Sequence, residues 1–223
     1  KEKDNGGRYQ GLHKIAKTIR AQKYGFFLFF YNFVHQILKI MQSSLRNDPM
    51  GAAIYDYHQT GKAGRLIVHS SMFEDDEIPV DMLFRTHDEM PLLEQKALRL
   101  AQGKILDVGA GSGCHSLALK QMGKRCVAID ISPISVEVMK ERGIDARLVN
   151  IFDESFDEKF DTILMLMNGT GIIGRLENMK TFFARMKELL SPGGRIILDS
   201  SDLRYLYEEE DGSLMIDLAD EYY

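Results

Sequence analysis

The stretch that decides the fold is Ile105-Leu106-Asp107-Val108-Gly109-Ala110-Gly111-Ser112-Gly113-Cys114-His115-Ser116-Leu117. A mostly apolar run ends in three alternate glycines, and a helical pattern begins at once, so a buried strand turns directly into a helix. Glycine permits so sharp a turn, and its missing Cβ lets a ligand approach the backbone. A second apolar run, Val127-Ala128-Ile129, ends in Asp130, 19 residues after Gly111. An acid at that place accepts the hydroxyl hydrogens of a ribose, so the pair of features predicts a nucleoside-containing ligand. The dinucleotide fingerprint G-x-G-x-x-G would need a glycine at Cys114, but the spacing here is G-x-G-x-G. No lysine follows as it does in a nucleoside triphosphate loop.

Working outward, Lys104–Gly109, Arg125–Asp130, Arg147–Ile151, Thr162–Met167 and Arg195–Asp199 read as strands, with helices over 113–122, 133–142 and 176–190. Near-continuously apolar strands alternating with helices imply a parallel sheet covered on both faces. Right-handed crossovers then give a doubly wound α/β fold, with its ligand crevice at the carboxyl ends of the strands. Ahead of the glycine loop, 49–60 is a short helix stopped at Gly61, and Arg65–Met72 is a strand. Glu74–Glu77 is an acidic turn, and Met90–Ala101 is a helix with Leu93, Ala97 and Leu100 on one face and Gly103 stopping it.

The blocks ILDVGAGSGCHSLAL (105–119), VAIDISP (127–133), ARLVNIFD (146–153), FDTILMLMNGTG (160–171) and LLSPGGRIILDSSD (189–202) together resemble the class I S-adenosylmethionine-dependent methyltransferases. That resemblance implies a Rossmann-like fold with S-adenosyl-L-methionine as cofactor. It implies that the backbone at Gly109, Ala110 and Gly111 lies along the methionine end, with Asp107 orienting the amino or carboxylate group. Asp130 would hold the ribose hydroxyls, and Ile131 would pack on the adenine. Asn150, beside Ile151, stands where family members often carry an acid for the adenine amino group, with Asp153 three residues on. An amide carbonyl accepts the same hydrogen bond. Met167 or Asn168 matches the place whose backbone oxygen meets the cofactor ammonium. Residues 168–171 read NGTG, unlike the Asn-Pro-Pro-Tyr motif of enzymes that methylate base amines.

Methyl transfer is an in-line displacement at an already electrophilic carbon, so alignment does most of the work and no catalytic dyad need be visible. The catalytic residues are therefore unassigned. If the acceptor carries a proton, a base helps remove it. The segment before the glycine loop, which commonly caps the crevice in this family, offers Tyr55, Tyr57 and His58, with His69 in the following strand. Tyr57, His58 and His69 are the candidates for touching substrate. Cys114 reads as a packing residue, and Glu208, Glu210 and Asp211 as a solvated acidic turn. The sequence offers no metal site.

The chain has 223 residues and a formal net charge of −5, which averages two unlike parts. Residues 1–46 carry 9 Lys/Arg against 2 Asp/Glu, and residues 47–223 carry 19 against 31. Seven of the 21 aromatics fall between Tyr24 and Phe33, and 26–41 has the spacing of an amphipathic helix. Four polar side chains interrupt it, against a transmembrane span. Three readings stand for this segment: a helix packing on the domain or on a second copy in a homodimer, a membrane-surface helix through residues 24–41, or residues outside the native coding sequence, since the first methionine is Met41.

The expected organisation is a basic, aromatic segment over 1–46, a cap and lead-in helix over 47–103, and a cofactor-binding domain over 104–223. After Asp199 only 24 residues remain, so the antiparallel C-terminal hairpin usual in the family is expected to be missing. Two cysteines give no disulfide framework and suit a reducing, cytoplasmic setting. The acidic body disfavours a broad nucleic-acid surface, which leaves a small-molecule acceptor as the leading expectation. RNA methylation through the basic arm, a nicotinamide-dependent oxidoreductase and a non-catalytic cofactor-binding scaffold are the alternatives.

Overall fold

The computed structural model describes residues 48–69, 75–201, 208 and 211–213. The chain divides into two units, Lys1–Pro49 and Met50–Tyr223. The helix expected over 26–41, the C-terminal hairpin expected to be missing, and Glu210 all lie outside the described residues.

The core of the second unit is a five-stranded parallel sheet. Its strands are β3 (Lys104–Val108), β4 (Arg125–Asp130), β5 (Ala146–Leu148), β6 (Phe160–Met165) and β7 (Leu190–Leu198), in the order β5-β4-β3-β6-β7. Reversal of the order at β3 makes the carboxyl end of that strand the switch point of a doubly wound sheet. Helices α3 (Cys114–Gln121), α4 (Pro133–Glu141) and α5 (Met179–Leu189) follow β3, β4 and β6. Successive β3 side chains therefore serve opposite cores. Leu106 and Val108 pack with Phe160, Phe182 and Met186 on one side, and Ile105 packs with Ala118, Leu119 and Leu164 on the other. Ser132 caps α4 by accepting the Ser135 N–H at 2.9 Å, with Pro133 opening the first turn.

Ahead of the sheet come α1 (Pro49–Thr60), a hairpin of β1 (Leu66–Val68) and β2 (Asp76–Ile78), and α2 (Leu92–Leu100). Here the structure corrects several expectations. Part of the expected acidic turn is a strand: Leu66 pairs with Ile78 and Val68 with Asp76. A two-stranded hairpin needs only one covered face, so Asp76 and Glu77 stay exposed, and Glu77 accepts from Arg65 at 2.8 Å. On α2 the buried face is Glu94, Ala97 and Leu98, whereas Leu93 is 62% and Leu100 48% exposed. The helix is rotated so that a carboxylate, not two leucines, points inward.

Several strand ends differ from their expected limits, three of them for a visible reason. β5 stops at Leu148 because the Asn150 side chain takes the Phe152 N–H at 3.0 Å and turns the chain outward. β6 stops at Met165 because Met167 and Asn168 adopt left-handed backbone (φ 60° and 59°), which no strand can continue. β7 starts at Leu190, five residues before the expected Arg195. Leu190 pairs with Phe160 and Arg195 with Thr162, and residues 191–194 bulge between them.

Candidate functional site

A cleft of about 600 Å³ opens at the carboxyl ends of β3, β4 and β6. Asp107, Gly109, Ala110, Gly111, Asp130, Ile131, Asn150, Ile151 and Met167, the nine residues expected at the cofactor, all line it. Gly109 and Gly113 have φ of +68° and +79°, a region side chains with a Cβ adopt at a cost of about 1–2 kcal/mol. A Cβ on Gly113 would also lie 2.5 Å from Ile144 Cδ1 and 2.9 Å from Met139 Cγ, so that glycine sets how closely the loop packs on α4 and the residues after it. A Cβ on Gly109 would lie 2.7 Å from Ile172 Cδ1, where the loop faces the opposite wall of the cleft.

Asp130 is the hinge of the site. One carboxylate oxygen accepts the Gly111 N–H and the other the Ser132 N–H, each at 2.8 Å. A carboxylate oxygen accepts more than one hydrogen bond, so both oxygens keep capacity for a ligand. Asp107, at the floor, accepts from Ser116 Oγ at 2.6 Å, and burial pushes its carboxyl up. Ile131 is 73% exposed on the rim. The backbone carbonyl of Ile151 accepts from Arg185 Nε at 3.1 Å, so its carbonyl is already engaged while its side chain joins the core. Asp153 does not line the cleft; its carboxylate accepts the Ser155 N–H, which holds its pKa low.

Several residues that the sequence did not single out build the surroundings. Asp199, just past β7, accepts the Met167 and Asn168 N–H groups, each at 2.8 Å. It thereby stabilises two consecutive left-handed residues at the cleft edge, each otherwise costly. Asn168 in turn accepts from Ser201 N–H and Oγ. Phe152 adds an aromatic edge to the lining and packs against Phe182, with ring centres 5.9 Å apart.

Beneath the loop runs a buried chain of charges: Arg85 donates to Glu94, and Glu94 meets His115 Nε2 at 2.8 Å. All three side chains are under 10% exposed. Burial opposes the imidazolium, but the Cys114 and Glu94 side chains and the Asp107 charge outweigh it, and His115 is pushed up to about 10. Burial also works against ionised Glu94, yet His115 and Arg85 prevail and hold its carboxyl low. The cap is tied down by a second set: Arg142 donates to the Ser112 carbonyl and lies over the Phe84 ring, while Ser112 Oγ donates to the Leu83 carbonyl.

The structure does not bring the three expected substrate contacts to the cleft. Tyr57 packs on Phe84 with ring centres 4.8 Å apart, His58 pairs with Glu141 at 3.0 Å, and His69 pairs with Asp75 on the exposed hairpin at 2.9 Å. Met50, Ile54, Ile78 and Leu83 reach the cleft instead. The α1 face that points inward carries Ala53 and Ile54, one residue step away from Tyr55 and a turn from Tyr57 and His58. Cys114, the first residue of α3, is a buried free thiol that packs in the core and also lines the cleft. Among the described residues, no group of three His, Cys, Asp or Glu could hold a metal.

Residues 106–198 match a family model described as a methyltransferase domain. Among solved structures, a SAM-dependent methyltransferase from Bacteroides fragilis in complex with S-adenosyl-L-homocysteine is 67% identical, with a TM-score of 0.71; the match covers 75% of this chain and 70% of that one. The cypemycin N-terminal methyltransferase of a Streptomyces species is 31% identical over 102 residues, 44% of this chain and 42% of its own length. The demethylmenaquinone methyltransferase of Tropheryma whipplei is 31% identical over 109 residues, 46% and 44% respectively. The chain thus spans less than half the length of these two curated relatives. Identity of 67% across 70% of a solved chain goes far beyond what a shared fold alone produces, and this protein therefore belongs to the class I S-adenosylmethionine-dependent methyltransferases.

Proposed function

We propose that the cleft binds S-adenosylmethionine and that the protein transfers its methyl group to a small-molecule acceptor. The observation that carries this reading is Asp130, a carboxylate held rigid by the Gly111 and Ser132 N–H groups at the cleft edge, with acceptor capacity left for a ribose. The volume of about 600 Å³ suits a nucleoside with an amino-acid tail. In this reading the Gly109-Ala110-Gly111 backbone lies along the methionine end, and Asp107 faces the ammonium. Ile131 and Phe152 flank the adenine, and the Asn150 amide meets its amino group beside Ile151. The Met167 backbone oxygen meets the ammonium from the other wall.

The bound cofactor supplies a methyl group already activated by its positive sulfur. The protein's task is to align an acceptor behind that carbon and keep water out, and orientation contributes roughly 7–11 kcal/mol to such a reaction. The cap gives the cleft an apolar acceptor side through Met50, Ile54, Ile78 and Leu83. Among the described residues, no lysine or arginine lines it, which favours a small molecule over a nucleic-acid backbone. His115 is held protonated at neutral pH and is not the base. The reading fits relatives named for a peptide N-terminus and for quinones. Among the described residues no helix is long and apolar enough to cross a membrane, and the two free thiols fit a cytoplasmic setting.

Calorimetric titration with S-adenosylmethionine, S-adenosylhomocysteine and NAD tests the proposal. Both sulfur nucleosides are expected to bind at one site and NAD not to. Failure of both would sink the reading, preference for NAD would install an oxidoreductase, and binding without turnover over a metabolite panel and tRNA would favour the scaffold. Turnover of tRNA alone would move the acceptor to RNA. The Asp199 clamp gives a finer check. Asp199→Ala frees the Met167–Asn168 turn from two charge-assisted hydrogen bonds, each worth about 1.5–3 kcal/mol at most. S-adenosylhomocysteine affinity is expected to fall several-fold, with cooperative unfolding retained at a melting temperature lowered by several degrees. Unaltered affinity would remove Met167 from the site.

A further inference from the structure

A second concavity lies at the opposite end of the sheet, where β3 and β4 begin. Its volume is about 440 Å³. Five cations line it (Lys104, Lys120, Lys124, Arg125 and Arg147) against two carboxylates, Asp145 and Glu158. Such an excess is unexpected in a body whose residues 47–223 carry 31 acids against 19 bases.

The carboxylates are already neutralised. Glu158 accepts from Lys104 and, at 2.6 Å, from Arg147, and Asp145 accepts from Arg147 at 3.3 Å. The other three cations form no ion pair among the described residues. Lys124 spends its three N–H bonds on the carbonyls of Leu98, Arg99 and Ala101, where it caps the end of α2. Its charge stays in the cavity with no donor to spare, and burial alone pushes its pKa down. Lys120 donates to the Gly143 carbonyl and keeps two N–H bonds. Arg125 makes no side-chain hydrogen bond among the described residues, and its planar fork matches the oxygens of a phosphate.

We propose that this cavity binds the phosphate group of a small metabolite, with Lys120 and Arg125 as the donors and Lys124 as a fixed positive charge behind them. Carbonyl oxygens orient the lysines but leave their charge unpaired, so an anion is the group that completes the site. A single concave site of this size on an acidic body selects a small anion over a nucleic-acid chain, which needs a stripe of cations. The proposal does not rest on the methyl-transfer reading, because the cavity shares no lining residue with the cleft.

The test is calorimetric titration of the full chain with pyrophosphate, and with inorganic phosphate, AMP and a short single-stranded RNA as parallel arms. Each is run with and without saturating S-adenosylhomocysteine. Pyrophosphate is expected to bind one site with and without the nucleoside, and the Lys120→Gln/Arg125→Gln double variant to weaken it at least about tenfold, about 1.4 kcal/mol. The variant's melting temperature and S-adenosylhomocysteine affinity are expected to be unchanged, since neither residue touches the cleft or the core. Binding of AMP more tightly than phosphate would identify a nucleotide, and the reverse a free phosphate. Absence of saturable pyrophosphate binding overturns the proposal. So does equal affinity in the double variant, or binding of RNA alone.

Discussion

Replacing Glu94 with alanine is expected to destabilise the protein by about 3–5 kcal/mol, because it strands two buried cations. Arg85 and His115 both converge on Glu94 Oε2, and none of the three side chains is more than a tenth exposed. An exposed pair would cost 0–1 kcal/mol, so the size of the loss discriminates. Urea unfolding of wild type, Glu94→Ala and Glu94→Gln measures it; the glutamine keeps a hydrogen-bond acceptor and is expected to lose less. A loss for alanine within the exposed-pair range would show that water reaches the network.

The pH dependence of the same network has a defined sign. His115 is raised from 6.5 to about 10, so its contribution is fully present below pH 6.5 and is lost as pH rises through about 10. Glu94 is lowered from 4.5, so its contribution holds above pH 4.5 and is lost as pH falls. Asp107 is raised by burial, and stability again falls as pH rises through its titration. Wild-type melting temperature should therefore decline between pH 6.5 and 10 more steeply than that of His115→Gln. Parallel curves would mean that His115 is neutral when folded.

The second large effect is at Asp130. Asp130→Ala removes both the proposed ribose acceptor and the groove that holds the Gly111 and Ser132 N–H groups. S-adenosylhomocysteine affinity is expected to fall at least tenfold, about 1.4 kcal/mol. Asp130→Asn keeps one oxygen and should fall less. The core under the loop is built from other residues, so the alanine variant should still unfold cooperatively. Unchanged affinity in a folded variant would put the ribose elsewhere.

How far the sequence could be read depends on the range of the interaction involved. The strand–glycine–helix turn at 105–117 and the acid closing the second strand are local, since backbone sterics fix them within a few residues. Asp107, Gly109, Ala110, Gly111, Asp130 and Ile131 line the cleft for that reason. The strand limits were misread where a long-range partner takes over the backbone. Asp199 captures the N–H groups of Met167 and Asn168, 32 and 31 residues away. Leu190 answers to Phe160 across a bulge. The reading of α2 failed likewise: helical spacing allowed either face inward, and Leu93 with Leu100 looked the more apolar. Arg85 and His115, 9 and 21 residues from Glu94, decide which face it is.

The cap shows the same division. Tyr57, His58 and His69 were the chemistry-bearing residues visible in the sequence, but Tyr57 and His58 stand one turn further along the face of α1 that carries Ala53 and Ile54, where Phe84 and Glu141 engage them, and His69 pairs with Asp75 on the hairpin. Sequence by itself determined the doubly wound sheet, the glycine loop and the acid that closes β4, because each follows from periodicity and local backbone freedom. Only the tertiary structure decided which side chains of the cap line the cleft, which charges are buried together, and that a cationic cavity stands at the far end of an acidic domain. Those properties depend on distance in space, and residues 20 to 60 positions apart carry no periodic mark of being neighbours.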